Sequence, residues 1–466
     1  MALLLIITVC GLLMLGYPVA FTLAGTALLF AGLGILVDPS IVGKVGLIPL
    51  RLFGILDKPL LIAIPLFIFM GVMLERSKIA ERLLDTMALL FGPMRGGLGI
   101  SVILVGMLLA ASTGIVGATV VTMGLISLPT MTRRGYDPQV ATGIICASGT
   151  LGQIIPPSIV LIILSDVLAT AATTAKATLP FDQASQIPSV SITDLFIGAI
   201  IPGLLLVGCY ILYVIFIALS KPEKVPAIPK SERSQSSKKD LFIKTITVLL
   251  PPIILILFVL GSILTGLASP TEAAAVGAVG ATLLAIFSRK FNRKILGDVS
   301  RSTMDTTSMV MMILIGSTIF SLVFRLLGGD AMVSDFLKGL PGNEYSALLF
   351  VMLLIFALGF ILDFFEITLI VIPIVGPILL AMGFHPVWLG ILIAVNLQTS
   401  FLTPPFGFSL FYLRSVVPKS ISTGQIYKGV IPFIVIQVLV LALIIFWKDL
   451  ATWLPDLADQ ARKASR

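Results

Sequence analysis

Histidine occurs once and cysteine three times in 466 residues, and charged side chains make up only 12% of them. The single histidine, His385, falls in a turn before Pro386. No Ser-His-Asp arrangement can be assembled from it, and no His/Cys/carboxylate cluster suggests a transition metal. Cys10, Cys146 and Cys209 all lie inside apolar stretches at no metal-site spacing, so they read as packing residues. There is no GxxxxGK[ST] run, so the chain is not expected to hydrolyse ATP. Taken together, these absences argue against an enzyme and against any cofactor.

Apolar residues are what the chain does have. They make up 58% of it, with a mean hydropathy of +1.12, outside the range of soluble proteins. Runs long enough to cross a ~30 Å hydrocarbon core recur throughout, which makes this an all-α polytopic membrane protein set in a lipid bilayer. The N-terminus is apolar without a basic leader, so it reads as a retained membrane segment. A formal charge of +8 could suggest nucleic acid. Its distribution excludes that reading, because loops 75–95, 132–135, 221–244, 289–301 and 411–428 hold 21 of the 31 Lys/Arg. Short basic loops between apolar segments set orientation by the positive-inside rule, which places these on the cytoplasmic side.

Long apolar runs carry the doubled prolines Pro156-Pro157 and Pro404-Pro405. Proline lacks an N–H and clashes with the preceding turn, so each pair should break a membrane helix. A shift of 248 residues superposes the two pairs and also aligns Pro129 with Pro377, Gly135 with Gly383 and Pro138 with Pro386. Gly and Pro fix backbone geometry, so these coincidences indicate two homologous halves.

The expected order is as follows. The first repeat covers 1–220 and opens with an apolar stretch, 2–37, interrupted at Gly16-Tyr17-Pro18. That stretch is either two short crossings or one long kinked helix. A crossing at 59–74 precedes an amphipathic helix at 75–92, in which Ile79, Leu83, Met87 and Leu90 share a face. Such a helix would lie in the membrane interface or pack against a neighbouring helix. The apolar run 96–132 overshoots a bilayer at ~1.5 Å per residue, so it reads as a re-entrant hairpin with its tip at Ser112–Gly117. A broken helix at 138–168, a small-residue loop at 169–190 and a crossing at 194–219 complete this half. A basic, flexible cytoplasmic linker follows at 221–240. The second repeat, 241–447, has crossings at 241–266, 270–288 and 304–327, a hairpin at 346–382, a broken helix at 386–416 and a last crossing at 425–447. A tail covers 448–466. Each half then has about five crossings plus one hairpin, an odd number, so the repeats are inverted.

Matching interrupted segments in two halves point to the midplane site of a secondary transporter. Broken helices expose carbonyls, which suit Na⁺, and N–H groups, which suit a carboxylate. One Na⁺ is expected between the tip at Ser112, Thr113 and Gly114 and the break at Gly149, Gln153 and Pro156. A second is expected between the tip at Asp363 and Glu366 and the break at Asn396, Thr399, Thr403 and Pro404. Asp363 and Glu366 are intramembrane carboxylates and therefore functional candidates. Glu272 starts a helix and reads as a cap. The substrate carboxylate is expected near Thr150, Gln153, Thr399 and Ser400.

Several motifs resemble those of one family. They are Ser269-Pro270-Thr271-Glu272-Ala273-Ala274-Ala275-Val276-Gly277, Ala63-Ile64-Pro65-Leu66-Phe67-Ile68, the tip at Ser112–Gly117, and Asn396-Leu397 leading to Leu402-Thr403-Pro404-Pro405-Phe406-Gly407. Together they resemble the large membrane subunit of tripartite ATP-independent periplasmic (TRAP) transporters, over essentially the whole chain. The resemblance implies a multi-pass permease of the bacterial inner membrane with the ion-transporter superfamily fold, driven by Na⁺ and moving as an elevator. It implies a small membrane subunit and a periplasmic solute-binding protein as partners. It also implies an organic acid, with a C4-dicarboxylate first, as cargo. A binding-protein-independent Na⁺/carboxylate carrier of the same superfamily is the alternative. This chain departs from the family pattern at Lys58, where a small polar residue is common. It also departs at Asp363-Phe364-Phe365-Glu366, where Asp-Pro-Gly or Asp-Met-Thr is common.

Overall fold

The doubled prolines at 156 and 404 end the helices they interrupt, whereas Pro251-Pro252 lies inside the span Lys239–Leu264. Pro138–Thr150 passes through a 3-10 turn, Leu151–Gln153, and the next arm begins only at Ile159, running to Thr178. Pro386–Leu402 stops likewise, and its second arm is Phe408–Val416. The computed structural model describes residues 1–229 and 238–464, the side chains at 112, 113, 238 and 461–464 lying outside that description. Among the described residues the secondary structure is helical, without strands. Eight helices among the described residues are long and apolar enough to cross a membrane, or up to nine if the bent pair Phe364–Ile370 and Ile372–Ala381 counts as one span.

The same local geometry recurs 248 residues apart. Gly135 and Gly383 both take left-handed backbone, with φ of +80° and +93°. Pro129 and Pro377 both lie inside helices, and Pro138 and Pro386 both open the broken ones. Pro156-Pro157 and Pro404-Pro405 each contain a cis bond.

The helices form two compact units, each drawing on both halves of the sequence. The first comprises Met1–Ile62, Ile163–Ser191 and Met304–Gly390. In it, the N-terminal stretch is two helices, Ala2–Met14 and Val19–Val37, reversed at Gly16 with φ of +84°. That settles the choice between two helices and one. The first has only 13 residues, roughly 20 Å at 1.5 Å per residue, shorter than a straight crossing. The helix Arg293–Leu326, of which 304 onward belongs here, approaches the pair at Gly316, where a Cβ would lie 2.4 Å from the Ala20 carbonyl. Small residues at such crossings let membrane helices close up. The second hairpin is also in this unit. Its limbs are Glu344–Leu358 and the pair Phe364–Ile370 and Ile372–Ala381, bent by 56°.

The second unit comprises Ala63–Ile162, Ile192–Thr303 and Ile391–Arg466. Helix Pro270–Phe287 packs along Ala63–Arg76, with Gly277 against the Met70 sulfur. Helix Thr423–Phe446 packs along Pro138–Thr150, and there Gly143 and Gly429 meet backbone to backbone. The amphipathic helix, Ile79–Phe91, buries Ile79, Leu83 and Met87 against Gly97–Thr113 and the 245–249 turn. Its apolar face is therefore covered by protein, the second of its two readings.

Several boundaries differ from the sequence reading for identifiable reasons. The small-residue stretch 169–178 is helix rather than loop. Alanine is the best helix former, and Thr170, Thr173 and Thr174 turn their hydroxyls back onto the carbonyls of Asp166, Ala169 and Thr170. The basic stretch 289–301 is not all loop, because helix Arg293–Leu326 starts at Arg293, where the Asn292 side chain accepts from the Ile295 N–H at 2.8 Å. The tail forms a helix, Asp449–Ala464, packed on Ile192–Ser220. The linker is tied down over its first part. Gly96 N donates to Val225 O, Ile228 N to Gly92 O and Asp137 N to Lys224 O, each at 2.9 Å. Lys224 also pairs with Asp137 at 3.0 Å. The remainder of the linker, 230–237, lies outside the described residues.

Candidate functional site

The first hairpin turns at Gly114, whose φ of +62° suits glycine. Its limbs, Gly97–Thr113 and Val116–Arg133, pack on the first broken helix. A Cβ on Gly114 would lie 3.2 Å from the Ile159 amide nitrogen, so the tip rests on the start of the second arm. A Cβ on Gly152 would lie 2.7 Å from Ala110 O, and one on Gly149 would overlap Val120. Residues flanking the tip, Ala110 and Val120, therefore touch the break, and the tip itself rests on Ile159 just beyond it. Glycine at these positions is what permits that approach. The side chains of Ser112 and Thr113 lie outside the described residues.

At the break itself the polar groups are fully buried. Thr150, Gln153, Ser158, Gln398 and Ser400 are 0% exposed, Thr399 1% and Asn396 4%. No Asp, Glu, Lys or Arg belongs to the buried set among the described residues. The hydroxyls spend their protons on their own helices. Thr150 donates to Ala147 O, Thr399 to Val395 O, Ser400 to Leu397 O and Thr403 to Thr399 O. A hydroxyl committed in this way offers only lone pairs, which suit a cation better than a carboxylate. Gln153 is the exception, because neither its Oε1 nor its Nε2 finds a hydrogen-bond partner. An amide left so in an apolar interior costs about 1–3 kcal/mol. That is the signature of a side chain waiting for a ligand or water.

The two broken helices meet in this unit. Gln398 Nε2 donates to Thr150 Oγ1 at 3.4 Å. Tyr210 faces Gln398 and accepts from Gln437 Nε2 at 2.8 Å. A buried polar chain, Thr150–Gln398–Tyr210–Gln437, thus ties both helices to Ile192–Ser220 and Thr423–Phe446. A serine closes each break. Ser158 Oγ donates to Gly152 O at 2.8 Å, and Ser409 Oγ donates to Phe401 O at 2.7 Å. Each joins the start of the second arm to the first. Sequence reasoning missed Ser158, Ser409, Tyr210 and Gln437. Gln437 carried a usable signal, as a lone amide inside an apolar span.

The second hairpin tip lies in the other unit. Asp363 Oδ1 accepts from Glu366 N at 2.8 Å, and Glu366 Oε2 accepts from Asp363 N at 2.9 Å. This is a capping box on Phe364–Ile370. It uses one oxygen of each carboxylate. Glu272 forms the same motif with Ser269, as a cap was expected to.

That unit also holds a cavity of about 140 Å³, lined among others by Arg51, Lys58, Asp166 and Arg325. Lys58 Nζ reaches both Asp166 oxygens at 2.8 Å, and Arg325 Nε lies 3.2 Å from Asp330. The sequence reading noted Lys58 only as a departure from a family pattern and did not single out Asp166 or Arg325.

Residues 6–450 match the family described as the DctM component of the tripartite ATP-independent periplasmic transporters. The C4-dicarboxylate TRAP transporter large permease protein of Pseudomonas aeruginosa is 30% identical, covering 87% of this chain and 88% of that one. The sialic acid TRAP transporter large permease protein of Vibrio cholerae is 28% identical over 96% of each. The isethionate TRAP transporter permease protein of Oleidesulfovibrio alaskensis is 28% identical, covering 91% of this chain and 63% of that one. Among solved structures, the YdaH transporter of Alcanivorax borkumensis is similar in fold, with a TM-score of 0.58 at 16% identity over 87% of each chain.

Proposed function

Because this chain belongs to the DctM family of TRAP transporter large permeases, and is an inner-membrane protein, we propose that it carries out Na⁺-coupled uptake of an organic acid. A small membrane subunit and a periplasmic binding protein complete the system. The two halves act as inverted repeats and transport proceeds by an elevator motion. The observation that supports this most is the junction at the first break. Gln153 is buried with both polar atoms uncommitted, and the tip of the first hairpin rests on Ile159, where the arm after that break begins.

One Na⁺ binds there, held by lone pairs of the Gln153 amide oxygen and by backbone carbonyls of the tip and the break. Thr150 supplies a hydroxyl whose proton is already committed. The ion thereby relieves the desolvation cost of the uncommitted amide, so its binding is linked to the stability of the break. The organic acid is a C4-dicarboxylate or a related small carboxylate.

Uptake of labelled organic acids into proteoliposomes tests the reading, with all three components present and with each omitted in turn. Uptake should require the binding protein and collapse when Na⁺ is replaced by K⁺. Full-rate uptake by this chain alone would favour a self-sufficient carrier. Full-rate uptake in K⁺ would remove the sodium coupling.

A further inference from the structure

The polar cluster at the breaks offers no cation to an organic acid. The charges are elsewhere, around the 140 Å³ cavity of the first unit. Its walls come from the end of the 48–58 segment, from the second arm of the first broken helix and from helix Arg293–Leu326. Three cations, Arg51, Lys58 and Arg325, line it against one acid, Asp166. Thr318 and Ser317 also line it, but both hydroxyls donate to Leu314 O. Apart from Ser321, donors to a ligand must therefore come from the cations.

Lys58 is placed for this. Its ammonium carries three protons, and its contact with Asp166 accounts for two of them, one to each oxygen. The pair is half-buried, with side chains 32% and 26% exposed. The carboxylate keeps the lysine at the cavity wall and lets the third N–H address the interior. Arg325 has Nε facing Asp330 and Nη2 donating to Pro373 O at 3.4 Å, which leaves further N–H groups of its five-donor fork.

Resting on the uptake reading above, we propose that this cavity is the substrate-anion site and that Lys58, positioned by Asp166, determines its specificity. The room inside it favours a small ligand. A cavity of about 150 Å³ holds a molecule the size of benzene. A short dicarboxylate or a hydroxyalkyl sulfonate is of that scale, and a sialic acid is several times larger. The ligand class is thus a small organic anion with a carboxylate or sulfonate head that Lys58 and Arg325 both reach. A salt bridge beside a mostly apolar cavity has a purely structural reading, namely that two half-buried charges neutralise each other. Against it stands Arg51, a third cation on the wall that neither the Lys58–Asp166 pair nor the Arg325–Asp330 pair accounts for.

The test is thermal unfolding of the purified full chain in lipid nanodiscs, in Na⁺, with succinate, isethionate or N-acetylneuraminate as probes. Succinate or isethionate should raise the Tm, and N-acetylneuraminate should not. Lys58→Gln alone strands the Asp166 charge and can fail to fold, so the decisive variant is Lys58→Gln with Asp166→Asn. It should fold and weaken the small anion at least tenfold. Unchanged affinity in that double variant overturns the proposal. So does a Tm shift with N-acetylneuraminate equal to that with the small anions, or the absence of any anion-induced shift. The Na⁺ dependence of three-component uptake is read separately. If it is absent while these binding results hold, the coupling reading fails and the anion site stands.

Discussion

Gln398 donates a hydrogen bond to Thr150, and the two residues are 248 positions apart, the interval that superposes the two halves of the sequence. Residues at equivalent positions of two copies touch each other only near an axis relating the copies. On the proposed reading of the chain as two inverted repeats, the broken helices cross at this pair. At 3.4 Å the bond is long, but both side chains are fully buried, and neither has water to fall back on.

A double-mutant cycle measures that contact. Gln398→Leu and Thr150→Val should each lower the stability of the purified protein. The coupling term should be about 0.5–1 kcal/mol, the size of a neutral hydrogen bond. Additive effects in denaturant unfolding would mean that the two helices are held by packing alone.

Gln153 offers a prediction of opposite sign. Its amide is buried without a partner, so Gln153→Leu should stabilise the Na⁺-free protein by about 1–3 kcal/mol. The same change should abolish the stabilisation that Na⁺ gives the unmodified chain. A Tm that falls in the absence of Na⁺, or that still rises with Na⁺, would count against an ion site at the first break.

Asp363 distinguishes cap from ligand. Asparagine caps a helix about as well as aspartate, whereas alanine costs about 1 kcal/mol. Asp363→Asn should therefore leave the Tm almost unchanged, and Asp363→Ala should lower it. If the Asp363 carboxylate also serves an ion, Asp363→Asn raises the Na⁺ concentration for half-maximal uptake, and by more than Glu366→Gln does. An unchanged value in Asp363→Asn assigns the residue to the cap alone.

Gly429 tests the helix contact behind the first break. A Cβ there would fall 2.1 Å from the Gln139 carbonyl oxygen. Gly429→Ala must push helix Thr423–Phe446 away from Pro138–Thr150. Overpacking of this kind typically costs 1–3 kcal/mol, that is, about 1–3 kcal/mol of unfolding free energy lost. Gly424→Ala, on the same helix with no close neighbour beyond Ser422 Oγ at 4.0 Å, should be nearly neutral and is the control.

Local backbone rules made much of this protein legible in advance. The doubled prolines at 156 and 404 marked the breaks, because a helix-interior proline removes a hydrogen bond and clashes with the preceding turn, although Pro251-Pro252 is carried inside the span Lys239–Leu264. Glycines 114, 135 and 383 marked the reversals, because a positive φ selects glycine. Apolar content alone assigned the membrane class. Capping was less legible. Asn292 started a helix inside a basic stretch taken as a loop, and Asp363 with Glu366 closed a box inside a segment read for ion binding.

Which distant residues meet was decided only in three dimensions. Lys58 and Asp166 are 108 positions apart, and nothing near either one names the other. Asp166 looks in sequence like an isolated acid in an apolar helix. Gly143 and Gly429 read as two unremarked glycines until their helices cross. Gln153 was chosen from the sequence for being polar at a break, but burial alone shows that it has no partner there. Proline and glycine act through the backbone of their own few residues, so their effect is written locally. Ion pairs, close helix crossings and uncommitted buried amides depend on what the rest of the chain brings to the same place.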